Sequence, residues 1–394
     1  MLRHLAVTCA LAGAVAGCGA AAPSLATHAA PLTAGACRRA DADELLAIGR
    51  RIYAQAASGP NVASVRRRLA RSGALARAVA AEDPRATAAI LRRLSKHQIT
   101  RIVVWGPDGR PLARLGRTPA LAPATGTIHL DFGLPVGRYA VAVAGDAPIA
   151  GEIRSVTGAP TQIVPAGAAP AAGARSFAAT AFPDGPLQIA MTLPPSLTTT
   201  CAATPSQTRL AVVRQVAVRL LAAERGGRQP RRVLRHVARD RGFVAAVAAR
   251  DPALLRAAII RFFRTRSLHV VRIRATTPGG GLIGDVGGPY VISPLTGRVL
   301  SAFGHRLLGR VTLSIQDDTG YMKLMHRFTG ALVAVRAGHR QVPGSARLPE
   351  AITRAQETTL PGTAFGGGRL TITLALPRDA TGPPVPHAGV PAPR

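Results

Sequence analysis

The sequence predicts an α+β protein made of two tandem copies of one domain, each with helices first and an antiparallel sheet after them. Three observations carry this. A series of motifs recurs in order: Pro119, Pro123, Thr125, Gly126, Phe132 and Gly133 are echoed by Pro289, Pro294, Thr296, Gly297, Phe303 and Gly304. Asp83-Pro84 likewise meets Asp251-Pro252, Gly137-Arg138 meets Gly309-Arg310, Thr157-Gly158-Ala159 meets Thr329-Gly330-Ala331, and Ala181-Phe182 meets Ala364-Phe365. A period this long means tandem domains rather than a solenoid of short repeats. Second, apolar residues fall at helical spacing in the first part of each copy. Third, alternating segments joined by short turns fill the rest; helices grouped before strands exclude a doubly wound sheet. The copies are placed at 37–195 and 201–378, with the boundary near Ser196 to Ser206.

The chain opens with a short basic start, Met1-Leu2-Arg3-His4, and the apolar run Leu5 to Gly17. That run is too short to span a bilayer but suits a signal-peptide core, so 1–17 is expected to be a leader. Val15-Ala16-Gly17-Cys18 resembles the bacterial lipobox, and the resemblance implies that Cys18 is acylated and becomes the mature N-terminus. An ordinary secretory signal followed by a cysteine is the plainer alternative. Residues 18–36, mostly Ala, Pro, Thr and Gly, read as a tether reaching at most roughly 60 Å. The Pro-rich segment 379–394 reads as a disordered tail. No later stretch is apolar enough for a transmembrane helix.

In the second copy, Thr208 to Ala223 and Arg231 to Ala249 carry apolar residues at helical spacing. Asp251-Pro252 starts a third helix, with Asp accepting from free N–H groups and Pro lacking the N–H that would be orphaned there. Asp83-Pro84 does the same in the first copy. His269 to Ala275 alternates, with Val271 and Ile273 on one face and Arg272 and Arg274 on the other. Pro278-Gly279-Gly280-Gly281 is a turn, Leu282 to Val286 a strand. Tyr290 to Ser293 and Arg298 to Phe303 flank a turn at 294–297. Gly309 to Gln316 alternates again, and Asp317-Asp318 caps a short helix, Tyr321 to Phe328. Ala331 to Arg336 and Leu370 to Leu376 are the last strands.

Composition narrows the partners. The net charge is +31 over 394 residues, and Lys96 and Lys323 are the only lysines. An arginine excess of this kind beside abundant Ala, Gly and Pro looks like GC-rich codon usage, and an exported chain rarely meets nucleic acid, so no nucleic-acid partner is expected. A positive field acts on any polyanion and weakens with salt, which leaves anionic lipid or wall polymer. Cys37 and Cys201 stand just before the first helix of each copy. Two thiols in an oxidising compartment can pair; equally, they are two unpaired cysteines at a duplicated position.

The long helix, then Leu268-His269-Val270-Val271-Arg272-Ile273-Arg274, a Gly turn and Leu282 to Val286 resemble the opening of a Cache domain, the extracellular relative of PAS domains. Gly309 to Asp317, followed by a short helix and a strand, resembles its later half. The resemblance covers most of 201–378 and, more weakly, 37–195. It implies a bacterial ligand-binding sensor, from which this chain departs in having no transmembrane helix and no output domain.

No H-E-x-x-H, C-x-x-C or G-x-S-x-G occurs, and no two histidines sit at metal-ligand spacing with a carboxylate. No enzyme, metal or cofactor is therefore expected. Gly279-Gly280-Gly281-Leu282-Ile283-Gly284 fits G-x-G-x-x-G but leads into a strand, whereas a phosphate cradle needs a helix N-terminus. One comparison between the copies is more specific. Aligned by strand, Arg272, Arg274, Ser314 and Gln316 are set against Val103, Trp105, Ala142 and Ala144, so one polar face becomes apolar. In PAS-like sheets that face lines the ligand pocket, and two arginines with Ser and Gln suit a carboxylate or phosphate. Asp285, Tyr290, Asp317 and Tyr321 are placed at its rim. A simply solvated face, with Asp317 and Asp318 as helix caps, is the other reading.

The expectation is a lipid-anchored protein on the extracytoplasmic face of the cell envelope, whose second repeat binds a small anionic ligand and acts through an unidentified signalling partner. Two alternatives stand beside it: a structural envelope lipoprotein whose basic surface binds anionic lipid or wall polymer, and a solute-binding lipoprotein of a transporter.

Overall fold

The computed structural model describes residues 33–95, 99–116, 121–194, 204–288, 292–301, 306–348 and 356–377. The leader, Cys18, Cys201, Tyr290, Phe303 and the C-terminal tail lie outside the described residues. The chain is α+β. Its first half runs α1 (Ala34–Ser58), α2 (Pro60–Ala70), α3 (Gly73–Ala80), α4 (Pro84–Leu94), β1 (Arg101–Trp105), β2 (Pro111–Leu115), β3 (Ala124–His129) and β4 (Pro135–Ala142). Then come α5 (Asp146–Thr157), β5 (Thr161–Pro165), β6 (Ala174–Ala181) and β7 (Gly185–Thr192). The second half repeats the order: α6 (Pro205–Gly226), α7 (Arg228–Arg239), α8 (Arg241–Ala249), α9 (Pro252–Arg264), β8 (Arg272–Thr276), β9 (Leu282–Gly287), β10 (Leu295–Leu300) and β11 (Leu307–Ser314). It closes with α10 (Asp318–Thr329), β12 (Leu332–Ala337), β13 (Arg340–Gln341), β14 (Glu357–Thr363) and β15 (Arg369–Ala375).

Local chemistry accounts for many boundaries. Asp83 accepts from the N–H groups of Arg85 and Ala86 at 2.9 and 3.0 Å, and Asp251 from those of Ala253 and Leu254 at 2.8 and 3.0 Å. Each carboxylate satisfies two orphan donors of the helix that its following proline begins. The helix expected over Arg231 to Ala249 is instead two. Asp240 breaks it by accepting from Phe243 N–H at 2.8 Å, which favours a new start over continuation. Thr33 caps α1, so the end of the expected tether is helical. Strand β10 begins at Leu295, ahead of the expected Arg298, because the chain turns earlier, at Ser293 with φ +53.

The strands do not form one sheet per repeat; they divide into two. In the first half the orders are β2-β1-β4-β3 and β5-β7-β6. In the second they are β9-β8-β11-β10 and β13-β12-β15-β14. All the strand pairs are antiparallel and join strands of the same half. The sheets β2-β1-β4-β3 and β9-β8-β11-β10 each pack one face on three short helices of their own half. Val65, Leu75, Val79 and Leu91 meet Ile102, Val104 and Val141 in one core, and Val237, Phe243, Leu255 and Ile259 meet Ile273, Val311 and Leu313 in the other. Each such side chain contributes about 1.5–3 kcal/mol by leaving water.

A third core is shared. Ile48 and Ile52 of α1, Val213, Val216 and Leu220 of α6, Ile153 of α5, Met325 and Phe328 of α10 and one face each of the sheets β5-β7-β6 and β13-β12-β15-β14 form one cluster. The halves also exchange charges. Arg51 of α1 lies against Gly330, the left-handed cap of α10, and Arg219 of α6 lies against Gly158, the left-handed cap of α5. A cation at a helix C-terminus opposes the negative end of its dipole. Each arginine comes from the other half, so the clamp is reciprocal.

Candidate functional site

Strand alternation puts Arg272 and Arg274 on the outer face of β8, away from the helices, with Asp285 of β9 opposite Arg274. The three side chains join. Arg272 Nε and Nη2 donate to Asp285 Oδ1 and Oδ2, both at 2.8 Å. Arg274 Nε and Nη2 both donate to Oδ2, at 2.9 and 2.7 Å. Arg272 Nη1 donates to the Gly288 carbonyl at 3.1 Å. Side-chain exposure is 18, 31 and 15 % for Arg272, Arg274 and Asp285, so the triad is largely shielded. Burial alone would raise the Asp285 carboxyl; its hydrogen bonds and charges from both arginines hold it below the usual carboxylate range.

The β14–β15 turn closes over this triad. Ala364 bridges to Ile292, and the glycines at 366 and 367, with φ +92 and +94, swing Phe365 onto the first sheet. Its ring centroid lies 4.6 Å from Arg272 Cζ and 5.3 Å from Arg274 Cζ, in cation–π range. The arginine forks are thus engaged by Asp285 and Phe365; an anionic ligand would have to displace one of them.

The sheet register corrects the alignment of the copies. Arg272 faces Ser314 as Arg101 faces Ala142, and Arg274 faces Thr312 as Val103 faces Ala140. Arg272 therefore corresponds to Arg101, and Arg274 to Val103; Trp105 belongs with Thr276. The stacking agrees, because Arg101 Cζ lies 4.7 Å from the Phe182 ring, at the place of Phe365. The first copy keeps one of the two arginines and has Arg114 where the second has Asp285.

The other candidates disperse. Ser314 is fully buried and donates to the Ile292 carbonyl at 3.1 Å, tying β11 to the segment before β10. Gln316 lies over Gly320 in the first turn of α10. Asp317 accepts from Gly320 N–H as the N-cap of that helix. Tyr321 is core: it is fully buried, and its hydroxyl donates to the Ala217 carbonyl of α6 at 3.3 Å. Burial, then the Glu224 charge, pushes its phenol up. Tyr290 and Cys201 lie outside the described residues, while Cys37 is buried in α1. The G-x-G-x-x-G run is the β8–β9 hairpin, where Thr277 N–H donates to Gly281 O at 2.8 Å. The described histidines, cysteines and carboxylates form no metal cluster.

Two cavities lie against the first repeat, on residues that the sequence reading does not propose as a site. One, of about 300 Å³, is lined by Trp105, Thr125, Arg138 and Ala140 of the outer sheet face and by Pro183 and Asp184 after Phe182. Arg138 Cζ stacks 4.5 Å from the Trp105 ring. The other, about 560 Å³ and wide open, lies between α2 and β3 and is lined by Ala63, Arg66, Arg67, Ala70, Thr127 and His129. Gly126, Thr127 and Tyr139 line both. A Cβ at Gly126 would collide with the Tyr139 hydroxyl, so the missing side chain is what lets this ring through. Tyr139 is 3 % exposed, yet its hydroxyl has no hydrogen-bond partner among the described residues. The Gly126–Gly297 echo was legible, but Val311 in place of Tyr139 was not a signal that alternation could flag.

Both helical layers are basic outward. Arg66, Arg67, Arg71, Arg77, Arg85, Arg92 and Arg93 are exposed on α2 to α4 and their caps, and Arg228, Arg231, Arg232, Arg235 and Arg239 on α7. Of the carboxylates there, Glu82 is exposed, while Asp83, Asp240 and Asp251 accept from backbone N–H groups as caps, and Asp240 also pairs with Arg261 at 3.2 Å. No known protein family, curated protein or solved structure matches the chain.

Proposed function

We propose that this chain is a lipid-anchored envelope protein that holds an anionic membrane surface through its arginine-rich helical layers. The observation that carries the reading is the excess of exposed guanidinium groups on α2 to α4 and on α7, where Asp83 and Asp240 are taken up as helix caps. Each Lys or Arg near an anionic leaflet contributes about 1 kcal/mol, screened within a Debye length. The lipobox-like Val15-Ala16-Gly17-Cys18 would supply the anchor; helices followed by antiparallel strands in each half suit the Cache-like reading of the repeats, whereas the division of each half into two sheets does not. The small-ligand alternative is less supported, because Asp285 and Phe365 already engage Arg272 and Arg274.

Vesicle binding tests it. Chains with Arg228→Glu, Arg232→Glu and Arg235→Glu should bind vesicles containing phosphatidylglycerol more weakly than wild type, and the difference should shrink as salt rises. Radiolabelled palmitate should enter the wild type and not Cys18→Ser. Binding that ignores both charge reversal and salt refutes the surface reading; tighter binding to soluble anionic wall polymer than to vesicles moves the partner from lipid to polymer.

A further inference from the structure

We infer that the β3–β4 hairpin tip and the groove behind it form a site for the headgroup of an anionic phospholipid in a bilayer. This rests on the surface reading above and narrows it to one place. The tip is Leu130-Asp131-Phe132-Gly133-Leu134. Phe132 is fully exposed and Leu134 mostly so, although Phe and Leu are the residues folding usually hides. The tip is ordered by its own backbone: Gly133 N–H donates to Leu130 O at 3.1 Å and Leu130 N–H to Leu134 O at 2.9 Å. Phe132 is held at φ +64, an uncommon conformation for a non-glycine residue. A fixed turn thus presents an aromatic ring outward.

Three residues before Phe132, His129 lines the groove of about 560 Å³ with Arg66, Arg67 and Tyr139. Neither guanidinium has an ion-pair or hydrogen-bond partner among the described residues. Guanidinium forks match phosphate oxygens, and the phenol of Tyr139, which lines the same groove, adds a donor. Asp131 is the one carboxylate on the tip. An apolar wedge beside a phosphate-binding cluster is the chemistry of a bilayer interface, where rings enter the headgroup boundary and cations meet the phosphates. The second repeat keeps the Phe–Gly pair as Phe303-Gly304, outside the described residues, and Arg235 at the place of Arg67, but not Arg66, His129 or Tyr139. Counted from Gly59 and Gly227, Leu234 stands where Arg66 does; it fills the space beside Gly297, and Val311 replaces Tyr139.

The full chain carries Cys18→Ser in every sample, so that no acyl chain contributes. Co-sedimentation is measured with phosphatidylcholine vesicles, with and without phosphatidylglycerol. Phe132→Ser with Leu134→Ser, and separately Arg66→Ala with Arg67→Ala, should each lower binding to the anionic vesicles by roughly ten-fold or more. All four residues are exposed, so neither change reaches the core. Tyr139→Phe should weaken binding several-fold. Trp105, the single tryptophan, lines the adjoining cavity, so its emission should shift on vesicle addition and should not shift in the double arginine variant. Undiminished vesicle binding in the Phe132/Leu134 variant overturns the proposal. So does a saturating Trp105 response to soluble glycerol phosphate that equals the vesicle response, which would make this a free-phosphate site. If Arg228, Arg232 and Arg235 matter and the groove residues do not, the surface reading stands and this site falls.

Discussion

Arg272 grips Asp285 through a two-bonded fork, Nε to Oδ1 and Nη2 to Oδ2, both at 2.8 Å, and Arg274 takes a second share of Oδ2. One carboxylate thus neutralises part of two guanidinium groups beneath Phe365. Removing Asp285 leaves both cations partly shielded and without that carboxylate. The shielding is incomplete, so Asp285→Ala should cost less than a fully buried pair, about 2 kcal/mol. Urea unfolding at pH 7 measures this, and a double-mutant cycle with Arg274→Ala isolates the coupling. The sign with pH follows from the depressed carboxyl. Its stabilisation is present above the unfolded value near 4 and fades as pH falls through the lower folded value, so the gap between wild type and Asp285→Ala should close in acid.

Tyr321 gives a contrast between core and ligand roles. Its ring fills the shared core between α10 and α6, and its hydroxyl bond to Ala217 O is long, at 3.3 Å. Tyr321→Phe should therefore cost at most about 1 kcal/mol, and Tyr321→Ala on the order of 3–5 kcal/mol as a cavity opens. Equal losses in the two variants by denaturant unfolding would mean that the hydroxyl, not the ring, carries the position.

The paired glycines predict matched costs in the two halves. A Cβ at Gly309 would lie 2.5 Å from Thr276 O and 2.8 Å from Val247 Cγ1. At Gly137 it would strike Trp105 O and lie 2.7 Å from Val79 Cγ1. In both, a strand carbonyl and a helix valine close the space, so Gly137→Ala and Gly309→Ala should each destabilise by about 1–3 kcal/mol. Thermal unfolding of the two variants checks it; a neutral result for either would show that helix and sheet can part there.

These examples show what the chain discloses on its face. Asp83 and Asp251 act on N–H groups two and three residues away, and their capping role was legible; the Gly137–Gly309 echo was visible without its reason, the strand carbonyl and helix valine that close on each. The strand register was not. A slip of one residue turns every side chain to the wrong face, but a slip of two restores the alternation. Setting Arg272 against Val103 rather than Arg101 kept the pattern intact, and only the pairing with Ala142 and Ser314 separates the two choices. The shared core was equally hidden. Ile48 and Val216 have the spacing of ordinary helix faces, and nothing in that spacing says the partner helix belongs to the other half. The groove at Tyr139 depends on the hole left by Gly126, a contact between different strands that the motif echo named without explaining.

Asp41 and Asp318 predict how stability varies near neutral pH. Both are 2 % exposed, and each keeps an Oδ1 with no hydrogen-bond partner among the described residues. Burial pushes each carboxyl up to about 6, with the neighbouring Asp317 charge adding to Asp318. A carboxyl whose folded pKa lies above its unfolded value near 3.9 binds its proton more tightly when folded. The stabilisation is then fully present below about pH 4 and is lost as pH rises through about 6. At pH 7 both groups are ionised in surroundings that disfavour the charge. Asparagine keeps the shape and removes the charge, so Asp41→Asn and Asp318→Asn should each stabilise the protein at pH 7 by on the order of 1 kcal/mol after discounting for solvent screening. Asp41 is the cleaner of the two, since Asp318 sits in the first turn of α10, where the helix dipole favours a negative charge. The gain should shrink steadily from pH 7 to pH 4 in urea unfolding series. A gain that stays constant across that range would show that Asp41 and Asp318 do not titrate there, and that their burial costs something other than charge.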